Sequence, residues 1–320
     1  MNIVLCYQSQ PHHIEQIQSI APDATVINAG QEGIAEAILE ADIYFGHAKV
    51  PVPWQQVVDQ GRLKWIQSSA AGMDHCLVPP VIASDIPVTS ASGLFANQVA
   101  EQTMAMLLGG IRSLPVFFRA QQKKEYIRRP TLDLHHKTVG IVGLGGNGRR
   151  LAQILAPFQV KIIATDLFPY DCPAEVDQLW AADELPKLLN ESDIVILCLP
   201  LNSSTKHIMN AAMFEQMKPG SIFINVARGQ VVKETDLVDA LESKRIALAG
   251  IDVAEVEPLP VKSPLWEMEN VIITPHVGAQ GETRNDDATN LFCQNLKSFL
   301  DEKPLVNLVD KELGFPIRRP

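Results

Sequence analysis

Residues 138–166 read TVGIVGLGGNGRRLAQILAPFQVKIIATD, and their pattern decides the fold. An apolar run, Thr138–Leu144, ends in Gly143-Leu144-Gly145-Gly146-Asn147-Gly148. A helix-like segment follows at Arg149–Ala156, and a second apolar run, Val160–Asp166, closes on a carboxylate. A strand, a G-x-G-x-x-G turn and a helix in that order make a dinucleotide-binding unit. The glycines allow a tight turn and close approach of the backbone to a pyrophosphate, and the helix N-terminus stabilises its charge. An acidic residue about twenty residues on, at the end of the next strand, hydrogen-bonds the adenosine ribose hydroxyls. Asp166 would repel a 2′-phosphate, and Leu167-Phe168-Pro169 offers no cation to hold one, so NAD is expected rather than NADP.

Outward from this stretch, short apolar runs alternate with helical segments, the pattern of βα units around parallel sheets. Towards the C-terminus the candidate strands are Asp193–Leu199, Ser221–Ala227, Leu248–Val253 and Val271–Thr274, with crossover helices at Glu184–Leu189, Met213–Met217 and Glu234–Glu242. These strands are apolar almost throughout, as strands covered on both faces should be. In the first third, Asn2–Tyr7, Ala24–Asn28, Asp42–Gly46 and Leu63–Gln67 read as strands, and His12–Ile20, Gly33–Glu40 and Trp54–Gln60 as helices. Helices Asn97–Ile111 and Thr283–Leu300 frame the middle series, the second carrying Ala288, Leu291, Phe292, Leu296 and Phe299 as one apolar stripe. The expected architecture is α/β with two Rossmann-like doubly wound domains. An NAD-binding domain over 99–284 is inserted into a flavodoxin-like substrate domain made of 1–98 plus 285–320.

A chain of 320 residues accommodates two cores. With 27 Lys plus Arg against 37 Asp plus Glu, the net charge of −10 argues against a broad nucleic-acid surface. The five cysteines lack C-x-x-C spacing and fit free thiols in a reducing compartment. MNIVLCYQSQP has no basic n-region and reads as a first strand, and no stretch approaches membrane-span length, so a cytoplasmic protein is expected. The adjacent pairs His12-His13 and His135-His136 lack carboxylate or cysteine partners at ligand spacing, so no catalytic metal is expected.

Three charged residues stand just beyond three candidate strands: Arg228, Glu257 and His276. In a parallel sheet all three project from the carboxyl edge, where open α/β sheets bind ligands and where the glycine loop also lies. Reducing a 2-oxo acid needs a hydride donor, a proton donor for the carbonyl oxygen and a cation for the carboxylate. Histidine exchanges the proton near neutrality, a neighbouring glutamate favours the imidazolium, and the planar arginine fork suits a carboxylate.

These motifs resemble the D-isomer-specific 2-hydroxyacid dehydrogenases along nearly the whole chain. The resemblance rests on TVGIVGLGGNG (138–148), CLPLNSST (198–205), NVARG (225–229), GIDVAEVEPLP (250–260) and TPHVGA (274–279). It implies that Arg228 binds the substrate carboxylate and carbonyl, and that Glu257 and His276 form the acid/base pair. Cofactor contacts are implied at Gly143, Gly145, Gly146, Asn147, Gly148, Asp166, Pro200, Val226, Ala227, Asp252, Gly278 and Ala279. It further implies a carboxylate-binding loop at Ala70–Asp74, with the amides of Ala71 and Gly72 facing substrate, and a second loop at Gly46–Lys49. There His47 is read either as a substrate contact or as a solvated loop residue. The helix containing Glu101 resembles one used in dimerisation, so a homodimer is implied.

The chain also departs from the family pattern. Gly146-Asn147 replaces the usual residues of a GLGxIG loop, and Cys198 stands where many members carry histidine. Glu257 argues against formate dehydrogenation, which uses glutamine there. Phosphite oxidation and an NAD(H)-responsive corepressor-like scaffold are the alternatives within the same fold. Lys123–Arg129 (KKEYIRR) reads as a solvated connector, with Arg128 and Arg129 as possible exceptions that reach the substrate.

Overall fold

The computed structural model describes residues 1–317. Its elements run β1 Asn2–Cys6, α1 Pro11–Ile20, β2 Thr25–Asn28, α2 Ile34–Ala37, β3 Ile43–Gly46, α3 Trp54–Gln60, β4 Trp65–Ser68, α4 Pro79–Ala83 and β5 Val88–Thr89. There follow α5 Ala96–Ile111, α6 Leu114–Gln122, β6 Thr138–Val142, α7 Gly146–Leu155, β7 Lys161–Asp166, β8 Gln178–Ala181, α8 Leu185–Glu191, β9 Ile194–Leu197 and α9 Ala211–Gln216. The chain ends with β10 Ser221–Asn225, α10 Glu234–Glu242, β11 Ile246–Ile251, β12 Val271–Ile273 and α11 Arg284–Leu300. It divides into two compact units, one of residues 1–94 with the segment from Gly281 onward, the other Phe95–Gln280.

The first unit holds a parallel five-stranded sheet in the order β2-β1-β3-β4-β5, the flavodoxin-like order. Its central strands are buried end to end: β3 (IYFG) reads as an apolar run, whereas β4 (WIQS) buries the polar Gln67 and Ser68. Helix α11 joins this unit through its apolar stripe. Phe292 stacks on Phe45 at 4.3 Å between ring centroids and on Trp65 at 5.3 Å. Buried Asn295 closes the contact by donating to Gln67 Oε1 at 2.9 Å, while Thr89 donates to the same oxygen at 2.7 Å. A buried polar network of this kind is stabilising because each member is satisfied.

The second unit holds a parallel seven-stranded sheet in the order β12-β11-β10-β9-β6-β7-β8, the doubly wound nucleotide-binding order with one strand added beyond it. Six strands were expected here; β8 is the seventh. It sits at the sheet edge with half-covered or exposed residues, so its QLWA lacks the apolar run that marks a buried strand. The two-residue β5 and the helices α4 and α6 were missed as well, the first for its brevity and the helices because each is short and carries proline within its first two residues. Helix α5 lies against β11, and Gly250 makes that approach possible: a Cβ there would come within 3.1 Å of Met106 Cβ and 2.7 Å of Ile224 Cδ1. Lys123–Arg129 is exposed along its length, including Arg128 and Arg129. No helix among the described residues is long and apolar enough to cross a membrane.

Candidate active site

Because every strand pair in the larger sheet is parallel, the loops after β6, β9, β10, β11 and β12 emerge from one edge. The first of them is the glycine loop. Gly143 has φ +93°, a conformation that disfavours any side chain, and a Cβ on Gly148 would lie 2.2 Å from Gly143 O, so only glycine lets α7 start this close to β6. Gly145 is the N-cap of α7 with no side-chain cap, and a Cβ there would meet nothing within 4 Å. An uncapped helix start beside open space fits a pyrophosphate, with the amides of Gly146, Asn147 and Gly148 in the first turn.

Asp166 lies beside this loop. Its Oδ2 accepts from Leu144 N at 2.7 Å and its Oδ1 from Phe168 N at 2.9 Å. Each carboxylate oxygen accepts more than one hydrogen bond, so acceptor capacity for a ribose diol remains. Arg149 reinforces the turn, donating from Nε to Leu144 O at 3.1 Å and pairing with Asp171 at 2.9 Å. Pro200 accepts from the Thr205 hydroxyl through its carbonyl at 2.7 Å, fixing the loop after β9. Burial pushes the nearby Cys198 thiol up to about 12, so this cysteine is a packed thiol rather than a reactive thiolate.

After β10 the buried Asn225 side chain shapes the turn that presents Val226, Ala227 and Arg228. Its Oδ1 accepts from Ala227 N at 3.0 Å and its Nδ2 donates to Arg228 O at 3.1 Å. Arg228 is half-buried, and its Nη1 donates to Ala227 O at 2.8 Å.

The pairing of Glu257 with His276 is explicit: His276 Nδ1 and Glu257 Oε2 lie 2.9 Å apart, both side chains about two-fifths exposed. Glu257 Oε1 also accepts from Ala254 N at 3.2 Å. Burial alone pushes the Glu257 carboxyl up, but the His276 hydrogen bond and charge, the Ala254 amide and the Arg228 charge together outweigh it. The carboxyl lies below its ordinary value of 4.5. Arg228 therefore belongs to the same electrostatic cluster as the pair.

His276 has φ +55°, a strained conformation for a residue with a side chain, and the surrounding hydrogen bonds hold it there. Asp252, buried at the end of β11, supplies most of them. Its carbonyl accepts from His276 N at 2.7 Å, its Oδ1 from the Thr274 hydroxyl at 2.6 Å and from Val277 N at 3.0 Å, and its Oδ2 from Gly278 N at 2.8 Å. Gln102 on α5 donates to the Thr274 hydroxyl at 3.0 Å. Asp252, read from the sequence as a cofactor contact, also orders the His276 loop as far as Gly278. Thr274 and Gln102 were not singled out from sequence. Only their three-dimensional proximity to Asp252 gives them a role.

In the smaller unit, His47, Ala71 and Gly72 form a separate group. The Ala70 turn is tied by Ser68 Oγ, which accepts from Ala70 N at 3.0 Å, and by Ala91 N donating to Ala70 O at 3.0 Å. The His47 ring stacks on His75 at 4.0 Å, and its backbone is held by Cys6 O and the Gln31 amide.

The pair His12-His13 gains a carboxylate from 273 residues away, Asp286, at 2.9 and 2.6 Å. Gln10 N donates to His13 Nδ1 at 3.0 Å, so a neutral His13 ring carries its proton on Nε2 and donates it to Asp286. The group reads as a hydrogen-bonded clasp between α1 and α11, because a metal at Nε2 would need that nitrogen deprotonated.

The family model described as D-isomer specific 2-hydroxyacid dehydrogenase, NAD binding domain, matches residues 104–278. The chain belongs to the D-isomer specific 2-hydroxyacid dehydrogenase family. Glyoxylate/hydroxypyruvate reductase B of Shigella boydii serotype 4 is 34% identical over 283 residues, covering 86% of this chain and 81% of that one. Human glyoxylate reductase/hydroxypyruvate reductase is 32% identical over 251 residues, 76% of each chain. Among solved structures, the D-isomer specific 2-hydroxyacid dehydrogenase of Xanthobacter autotrophicus Py2, in complex with NADPH and MES, superposes with a TM-score of 0.83. It is 29% identical and covers 98% of this chain and 99% of that one. As a member of the family, the chain is a dinucleotide-binding oxidoreductase of 2-hydroxy and 2-oxo acids.

Proposed function

We propose that this dehydrogenase reduces a small 2-oxo acid to the D-2-hydroxy acid with NADH, using His276 as the acid, Glu257 as its partner and Arg228 as the substrate cation. The observation that carries the reading is the 2.9 Å His276–Glu257 bond on the sheet edge that also bears Arg228 and the glycine loop. A bound reduced nicotinamide supplies the hydride. Glu257 takes the Nδ1 side of the imidazolium, so Nε2 is the nitrogen that gives its proton to the developing alkoxide. Arg228 binds the carboxylate and polarises the carbonyl. Ala71 and Gly72 are assigned as amide donors to the substrate carboxylate, and His47 as a further substrate contact. The test is NADH oxidation with a panel of glyoxylate, hydroxypyruvate and larger 2-oxo acids. Tight NADH binding with no turnover on any of them would favour a nucleotide-responsive scaffold instead.

The choice of NADH rests on Asp166, whose carboxylate would repel a 2′-phosphate, whereas the Xanthobacter structure holds NADPH. Asp166→Ala should lower kcat/KM with NADH by about tenfold or more while leaving the NADPH value unchanged or higher, since one charge-assisted hydrogen-bond set is worth about 1.5–3 kcal/mol. Equal kinetics with both cofactors in the unsubstituted enzyme would remove the assignment to NADH.

The Glu257 carboxyl lies below 4.5, so it stays ionised until the pH falls through that lower folded value. Its contribution to stability is full above the unfolded value and is lost progressively as the pH falls through the lower folded value. Activity that depends on the Glu257 carboxylate should therefore persist to below pH 4.5, and Glu257→Gln should abolish that acid limb. A pH–rate profile of both proteins checks this. An acid limb unchanged by the substitution would assign it to another group.

A further inference from the structure

The nucleotide unit carries a second histidine–carboxylate pair that the proposed reaction leaves unused. His207 Nε2 and Glu255 Oε1 lie 2.6 Å apart, with side chains 35% and 27% exposed. The other carboxylate oxygen, Glu255 Oε2, accepts from Glu234 N at 2.9 Å, at the first residue of α10. Glu255 N returns the contact to Glu234 Oε2 at 3.3 Å, and Ser263 donates to Glu234 Oε1 at 3.3 Å. The backbone closes the same circuit: His207 N donates to Gln230 O at 2.9 Å, Met209 N to Val231 O at 3.1 Å, and Lys233 N to Met209 O at 2.9 Å.

Three segments meet in this cluster, the stretches 207–209 after β9, 228–234 after β10 and 254–257 after β11. Arg228 begins the second and Glu257 ends the third. The β10–β11 pairing that would otherwise set their separation stops at Asn225 opposite Ile251, with Asp252 N to Asn225 O at 3.0 Å as its final bond. Beyond that point two features fix the distance between the segments. Gly229 packs so closely on the Ala254–Glu255 peptide that a Cβ there would lie 1.7 Å from Ala254 O, and Glu255 ties the third segment to the other two. The chain bends over 255–258, and that bend explains the division of labour, since residues two apart on a straight strand would share a face. Glu255 and Glu257 are two residues apart, yet one meets His207 and Glu234 while the other meets His276.

The geometry points to Glu255 and His207 as positioning residues that hold the Arg228 and Glu257 segments in the register the reaction needs. This rests on the assignment of Arg228, Glu257 and His276 given above. A misplacement of about 1 Å in a catalytic group can cost about 10²-fold in rate. The clasp makes no bond to the glycine loop or Asp166, or to the Asn225 side chain that shapes the Val226–Ala227 turn, so losing it leaves the bonds that shape those parts of the cofactor site in place.

Two measurements on Glu255→Ala test the inference. Hydrogen exchange should speed up by about tenfold or more at the amides of His207, Met209, Val231, Lys233 and Ala254, while Val277 and Gly278, bonded to Asp252, keep their protection. With the best oxo acid, kcat/KM should fall by about 10- to 100-fold at unchanged NADH affinity. His207→Ala should reproduce both effects, the double variant should be no worse than either single one, and His207→Gln, which keeps an N–H donor, should recover most of the activity. Unchanged exchange in the cluster overturns the inference. So does faster exchange throughout the unit with weakened NADH binding, which would mark a purely structural role. The exchange result decides even if the unsubstituted enzyme reduces none of the acids, an outcome that would count against the proposed reaction alone.

Discussion

His276→Ala should lower kcat for NADH-dependent reduction of the best 2-oxo acid by about 10²- to 10⁴-fold, the range expected when a positioned general acid is removed. The affinity for NADH should stay the same, because Gly143–Gly148 and Asp166 owe nothing to the His276 ring. The fold should also survive. The ring is two-fifths exposed, and the bonds that order its loop come from the backbone of residues 276–278 and the Thr274 hydroxyl to Asp252. Steady-state kinetics with cofactor binding by fluorescence titration separates these effects. A variant with undiminished kcat would remove His276 from the chemistry.

Removal of Arg228 should show a different signature. In the role proposed for it, Arg228 supplies both the cation for the substrate carboxylate and the charge that polarises the carbonyl, so in Arg228→Ala KM should rise and kcat should fall together. A loss of about 10³-fold in kcat/KM corresponds to about 4 kcal/mol of transition-state stabilisation. Arg228→Lys should recover only part of this, because an ammonium keeps the charge but not the two-pronged geometry. The Arg228 charge also helps hold the Glu257 carboxyl below 4.5, so its removal should move the acid limb of the pH–rate profile upward. An effect on KM alone, with kcat and the acid limb unchanged, would restrict Arg228 to substrate capture.

The two variants bear on a site whose parts were unequally visible in the sequence. Buried parallel strands must be apolar along their whole length, so β6, β7, β9 and β10 stand out as Val- and Ile-rich runs, and the residues just past their ends can be named by counting. Arg228 and the glycine loop were legible for that reason, and Glu257 and His276 from the shorter apolar runs that form β11 and β12. The edge strand β8 was not, because a strand covered on few sides need not be apolar. Asp252 could be named from its place at the end of β11, but its bonds to Thr274, Val277 and Gly278 could not, since a carboxylate that orders a loop carries no mark of it in sequence.

By itself, then, the sequence determined the class of fold, the nucleotide turn with its partner carboxylate, and the order in which the charged residues leave the sheet edge. These are local properties, set by side-chain periodicity and by backbone conformations open only to glycine. Tertiary structure alone decided which of those residues touch. Asp286 meets His12 and His13 across more than 270 residues, Asn295 meets Gln67 across 228, and Glu255 meets His207 across 48. Each contact closes a loop between segments that carry no signal for one another, and it forms only after the strands between them have paired and brought their ends together.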